Sequence, residues 1–223
     1  TRKYGGTLSW LAAEGKDNEQ TDGIAASEAI DKLDYFASNE TPFFLAVGFF
    51  RPHTPFVAPK EYFDFYDRKK IEIPEVSNEY LATLPEPAVK SIRAKKNQLN
   101  LEKELAQEIK EAYYSTISFV DAQVGRILDH LKSLGLDKNT IVVFTSDHGY
   151  HLGEHGHWQK QTLFENSTRI PLIISSPSIK NKDVKTISPV ELIDVYPTLM
   201  DLTNINTPLH VVGKSLVPLM KDT

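Results

Sequence analysis

"NTIVVFTSDHGYHLGEHGHWQK", Asn139 to Lys160, decides how this chain is read. It opens on the apolar, β-branched run Ile141–Phe144. It then passes without a spacer into a segment holding Asp147, Glu154, Lys160 and four histidines, His148, His151, His155 and His157. A short continuous apolar run bounded by turn residues suits a strand buried on both faces of a sheet. Gly149 allows the backbone to turn at once. The stretch is therefore predicted to be a strand that delivers a chemistry-bearing loop at its carboxyl end, where open α/β sheets hold their ligands.

Two further apolar runs resemble it. "PFFLAVGFF" (Pro42–Phe50) and "TRIPLIISSP" (Thr168–Pro177) are predicted strands. Helical spacing predicts an amphipathic helix over Asp22–Ala37, capped by Thr21 or Asp22, and a long one over Leu101–Leu134 stopped by Gly135. A third is expected over Val190–Leu202, with Ser188 as cap, Pro189 just inside, and a kink or end at Pro197. Residues 1–23 are read as loop with a short helical turn near Trp10. Arg51–Pro59 is read as an irregular loop because it holds three prolines, and residues 71–100 as exposed loop. Strands alternating with helices indicate an α/β fold with a mostly parallel sheet, here a single domain over 1–223. The order places the loops after Phe50 and after Phe144, and hence His53 and Asp147, at one sheet edge.

Composition narrows the function. The chain has 223 residues, 40% hydrophobic and 25% charged, as in an ordinary globular protein. Net charge is −5 and the pI is near 5.8, which disfavours nucleic acid as a partner despite local clusters such as Arg93–Lys96. No apolar run is long enough to span a bilayer. The absence of cysteine excludes disulfides, thiolate metal sites and a cysteine nucleophile.

The polar residues have competing readings. Asp147 and His148, adjacent at a strand end, can face one divalent cation; the alternative is a strand-end turn whose carboxylate caps nearby amides. "HLGEH" (His151–His155) matches the inverted zincin string, which requires both histidines on one helix face, yet Gly153 and Gly156 interrupt any helix. Lys160 can hold an anion or stay solvated. His53, between Pro52 and Pro55, is placed for proton donation or is a turn histidine open to water. Arg51 can bind an anion, and Trp158 reads as a packing anchor. Taken together the set suits a tetrahedral anionic ester, a sulfate or a phosphate.

"FTSDHGYHLGEHGHWQK", "GFFRPHTPFVAPKEYFDFY" and "STRIPLIISSP" resemble the type I sulfatases, in particular the iduronate-2-sulfatase-like branch, over about Thr21–Met220. The resemblance implies an alkaline-phosphatase-like α/β/α sandwich, incomplete at its N-terminal side, that hydrolyses sulfate esters with a divalent cation, usually calcium. It implies Asp147 and His148 as metal ligands, and Lys160 on the sulfate and ester oxygen. His53 would bind sulfate and protonate the leaving alcohol, and Arg51, His151, His155 and Trp158 would shape the substrate pocket. The expected substrate is a sulfated carbohydrate such as a glycosaminoglycan, with phosphoester or phosphonate hydrolysis, or non-catalytic binding of anionic saccharides, as alternatives. A periplasmic, secreted or lysosomal location is implied.

The family's formylglycine arises from Cys or Ser in a C/S-x-P-x-R motif. This sequence has no cysteine, and its one S-x-P string, "SSPSI" (Ser175–Ile179), ends in Ile in place of Arg. The family's aspartate pair has no counterpart either. Little hydrolysis and weak metal binding are therefore expected of this chain by itself. An uncovered sheet edge is expected to favour self-association or a second chain.

Overall fold

The computed structural model describes residues 8–94, 97–180 and 184–221. The first seven residues of the expected N-terminal loop, and Lys95–Lys96 of the basic cluster, lie outside the described residues. The chain forms two compact units, one of Thr1–Gly135 with Ser146–Pro171, the other of Leu136–Thr145 with Leu172–Thr223.

In the first unit the stretch expected to be loop near Trp10 is a strand, β1 (Trp10–Ala13). The helix α1 (Thr21–Ser38) follows, and then β2 (Phe56–Pro59). β2 runs parallel to β1 in the register Trp10↔Phe56 to Ala13↔Pro59. The irregular loop expected over Arg51–Pro59 therefore gives way to a strand from Phe56. Pro59 sits at the last position of a two-stranded ladder, where a missing N–H is tolerated.

Next come α2 (Lys60–Phe63), α3 (Asn78–Ala82), α4 (Glu86–Ala94) and the long α5 (Lys103–Ser133). α3 and α4 lie in the stretch read as exposed loop. Ser77 Oγ accepts the Tyr80 N–H at 3.1 Å as an N-cap, and Val76, Leu81 and Ile92 bury together beneath them. Their periods were too short to register as helices. α5 matches its expected span, and Gly135 ends it at φ +71°, a left-handed conformation that glycine adopts without strain.

α1 and α5 are stitched together by polar contacts. Arg126 donates to Ser27 Oγ at 2.9 Å and to the Gly23 carbonyl at 3.3 Å, and His130 Nε2 meets Asp34 at 2.7 Å. The core beneath β1 and β2 contains Leu8, Phe56, Ile109, Leu152 and Trp158. α6 (Glu165–Thr168) completes this unit.

Pro42–Phe50 is not the buried strand expected. It belongs to no ladder among the described residues. Phe43, Leu45, Val47 and Phe49 are half-buried while Phe44, Ala46, Gly48 and Phe50 are exposed, the alternation of extended chain. A strand covered on both faces needs neighbouring strands, and none of the described residues supplies one.

In the second unit β3 (Val142–Thr145) pairs antiparallel with β4 (Leu172–Ser175), in the register Val142↔Ser175 to Thr145↔Leu172. Both occur where predicted, but Phe144 and Ile173 are exposed, so this ladder is not covered on both faces. α7 (Val195–Leu202) starts later than expected, and Pro197 lies in its first turn instead of at its end. Proline is tolerated there because the first N–H groups of a helix have no intrahelical acceptor. Ser188 and Pro189 precede the helix and cap nothing. α8 (Val217–Lys221) closes the described chain. The described strands thus form one parallel and one antiparallel pair, and the loops bearing His53 and Asp147 do not leave neighbouring strands of one sheet.

Candidate active site

Asp147 and His148 leave β3 in a tight turn. The His148 backbone N–H donates to Asp147 Oδ1 at 3.0 Å, and Ser146 Oγ donates to the His148 carbonyl at 2.8 Å. His148 Nδ1 donates to the Gly149 carbonyl at 2.8 Å, which fixes the tautomer and leaves Nε2 with its lone pair. That Nε2 lies 3.6 Å from Asp147 Oδ2, and the Asp147 side chain is 85% exposed. Two ligand atoms at this spacing can share one cation at bond lengths of about 2.1–2.4 Å. The pair therefore fits part of a hard cation's shell. No group of three or more such ligands occurs among the described residues.

Gly149 sets the turn. Its N–H donates to the Ser167 carbonyl at 2.8 Å. A Cβ added there would stand 2.1 Å from the Asn166 carbonyl oxygen, which is backbone and cannot swing away. Gly149→Ala should therefore cost about 1–3 kcal/mol, as overpacking does. Urea unfolding checks this, and a change under 0.5 kcal/mol would contradict it.

His53 follows the same rule as His148. Its Nδ1 donates to the Thr54 carbonyl at 2.7 Å, leaving Nε2 open on an exposed ring beside Phe50. Its loop is anchored by Asp22, which the sequence presented as a helix cap. Asp22 lies inside α1, is 2% exposed, and accepts the backbone N–H groups of Phe50 and Arg51, each at 2.8 Å. Arg51 closes the same loop. Its Nε donates to the Val57 carbonyl at 2.9 Å and an Nη to the His53 carbonyl at 3.3 Å. Burial lowers the Arg51 pKa from its ordinary value, and Asp22 partly offsets that. Arg51 thus shapes the loop through carbonyl contacts.

The remaining expected residues form a histidine cluster. His151 is fully buried, and its Nε2 lies 2.8 Å from Thr162 Oγ1, whose proton goes to Ser167. The His151 Nδ1 is buried with no hydrogen-bond partner among the described residues. His155 stacks on Phe164 at 4.0 Å and meets the Tyr80 hydroxyl through Nδ1 at 2.5 Å. Gly153 at φ +103° and His155 at φ +57° break any helix through this stretch, so the inverted zincin geometry is absent. Trp158 is 2% exposed in the core, and its carbonyl accepts the Tyr150 hydroxyl. The His151 and Trp158 side chains are interior, so any influence on a substrate runs through the loop they hold. Tyr80, Thr162 and Phe164 were missed because no local spacing links them to the histidines.

Burial, with His157 and His155 close by, pushes the His151 pKa down from 6.5 to about 4. Between those values the unfolded chain binds a proton that the folded chain refuses, so stability falls as pH drops from about 6.5 to about 4. His151→Gln should flatten that part of a plot of Tm against pH. Parallel curves for both proteins would contradict the assignment.

Lys160 ends the loop. Its carbonyl accepts the Thr162 N–H at 2.8 Å, and its ammonium, on a half-buried side chain, has no hydrogen-bond or ion-pair partner among the described residues. The segments meet through aromatic packing in the first unit. Phe56, three residues after His53, sets its ring edge-on to Tyr113 at 5.5 Å and to Tyr150, two residues after His148, at 6.1 Å.

Comparison with known proteins gives these features a context. The family model described as Sulfatase matches residues 4–205. A sulfatase of Formosa agariphila is 36% identical over 98% of this chain and 43% of its own length. Human iduronate 2-sulfatase is 31% identical over 84% of this chain and 40% of its own. Among solved structures, a phosphonate monoester hydrolase from Silicibacter pomeroyi superposes with a TM-score of 0.82 at 28% identity, over 93% of this chain and 42% of that one. The chain thus spans less than half the length of these relatives. The fold is of the alkaline-phosphatase-like α/β kind that they share.

Proposed function

This chain belongs to the sulfatase family, and on that premise we propose that it supplies the cation-binding and leaving-group side of a sulfuric ester hydrolase acting on a sulfated carbohydrate. The observation that carries the reading is the shared state of two imidazoles. His53 and His148 each commit Nδ1–H to a neighbouring backbone carbonyl and each keep Nε2 for chemistry.

His148 Nε2 and the Asp147 carboxylate supply two ligands for a divalent cation, with calcium the expected ion. Such a cation, when bound, neutralises charge on the ester's oxygens. The Lys160 ammonium holds a sulfate oxygen by a charge-assisted hydrogen bond. His53, protonated at Nε2, donates that proton to the departing alcohol oxygen. The covalent step belongs to a nucleophile that these residues do not include, so the chain by itself is expected to turn over little ester. Family membership also favours a periplasmic, secreted or lysosomal setting. Among the described residues no helix is long and apolar enough to cross a membrane.

4-Nitrophenyl sulfate hydrolysis tests the reading, on this chain and on a chain extended upstream to include a formylglycine-forming motif. Activity in the extended chain alone is expected. A phosphonate monoester turned over faster than the sulfate would favour the phosphonate reading, which the superposition on a phosphonate monoester hydrolase supports. Activity in neither would favour a saccharide-binding module. The unpaired, half-exposed Pro42–Phe50 run is the proposed seam for self-association or a second chain, and a strictly monomeric chain in sedimentation at high concentration would count against self-association.

A further inference from the structure

One flank of α5, apart from the residues assigned above, carries a cation with no counter-ion. Lys110 is 8% exposed and lines a cavity of about 420 Å³. Its ammonium donates to the Glu72 carbonyl at 3.0 Å and lies 5.9 Å from the centre of the Tyr114 ring. Neither partner bears a full negative charge, and no carboxylate pairs with Lys110 among the described residues. A buried ammonium satisfied by one carbonyl retains unused donors and an unpaid desolvation cost, and an anion in the adjoining cavity would relieve both.

The rest of the cavity limits what that anion is attached to. Tyr66 and Tyr114 lie side by side, ring centres 5.6 Å apart, and Phe65 stands at the rim, 66% exposed. Such rings offer flat apolar faces to a ligand that also carries polar groups. The acids at the rim, Asp67 and Glu72, are hydroxyl acceptors, and Asp67 already holds Lys70 at 3.2 Å. Phe65 also borders a second, separate hollow of about 460 Å³, lined on α5 by Ile117, Ser118 and Asp121. From Lys110 to Asp121 the helix rises about 16 Å, longer than a single sugar ring.

We propose that this aromatic groove is an ancillary binding site for a sulfated oligosaccharide, with a sulfate group on Lys110 and sugar rings against Phe65 and Tyr114. The cavity and its uncompensated cation stand by themselves; the choice of a sulfated sugar rests on the functional reading above. The site would hold a polymeric substrate by a stretch of chain separate from the ester being cleaved.

Amide and methyl NMR of the 223-residue chain, titrated with a sulfated glycosaminoglycan tetrasaccharide, tests this. Shifts should centre on Lys70, Lys110 and Tyr114. Lys110→Met, which keeps the apolar stem, and Phe65→Ala, at an exposed rim position, should each raise Kd at least tenfold. The desulfated tetrasaccharide should bind at least tenfold more weakly, and inorganic sulfate should shift Lys110 without Phe65. Unchanged affinity in a folded Phe65→Ala chain, or shifts confined to His53 and Lys160, would overturn the groove and leave the sulfatase reading intact. Groove binding without ester hydrolysis in the extended chain would do the reverse.

Discussion

Replacing His53 by alanine, in a chain extended to carry a formylglycine-forming motif, should lower kcat toward a sugar sulfate by about 10²–10⁴-fold, the usual contribution of a positioned general acid. The expectation follows from the loop's construction. Asp22 accepts two successive backbone N–H groups, Arg51 grips two carbonyls, and the His53 Nδ1 is tied to Thr54. Nothing about His53 is left to vary except Nε2, the atom that would carry the proton. Removal of a proton donation made only in the transition state lowers kcat and kcat/KM together. The loss should shrink for 4-nitrophenyl sulfate, whose phenolate leaves without protonation. An equal loss on both esters would argue that His53 holds the sulfate and is no acid. Full activity on both would remove it from the site.

Phe56→Ala should destabilise the chain by about 3–5 kcal/mol, the range for a buried aromatic truncated to alanine. Phe56 is wholly buried and begins the parallel ladder opposite Trp10. Its ring stands edge-on to both Tyr113 and Tyr150, so the cavity opens where the His53 loop and the His148 turn are joined. Net stabilities of domains are only about 5–15 kcal/mol, so this loss removes a large share. Denaturant unfolding should show a lower midpoint with little change in slope. The His53 and His148 NMR signals should both move, since both loops lean on one ring. A loss under 1 kcal/mol would show that the aromatic packing does not join them.

Long-period features were legible in the sequence. The apolar stripe of α5 and the β-branched run of β3 lie close to their predicted positions because each repeats a local pattern over many side chains. Partnership was not legible. β1 and β2 are four residues each and become strands only by pairing across more than forty positions, while Pro42–Phe50 has a strand's composition and no partner. The site divides in the same way. Asp147, His148, His53 and Lys160 stand out as residue types in loops. Asp22, Tyr80 and Thr162 act on groups that lie elsewhere in the sequence, and no spacing rule reaches them.

We propose that His53 and Lys160 lie close enough to Asp147 and His148 for all four to act on one ester. Manganese titrated into this chain tests it, because a paramagnetic ion broadens nearby resonances even when it binds weakly and exchanges fast. The His148 Cε1–H signal should broaden first, His53 and the Lys160 Cε protons should broaden with it, and Asp147→Asn should abolish all three effects together. Broadening of His148 alone, with His53 and Lys160 sharp at saturating manganese, would contradict it.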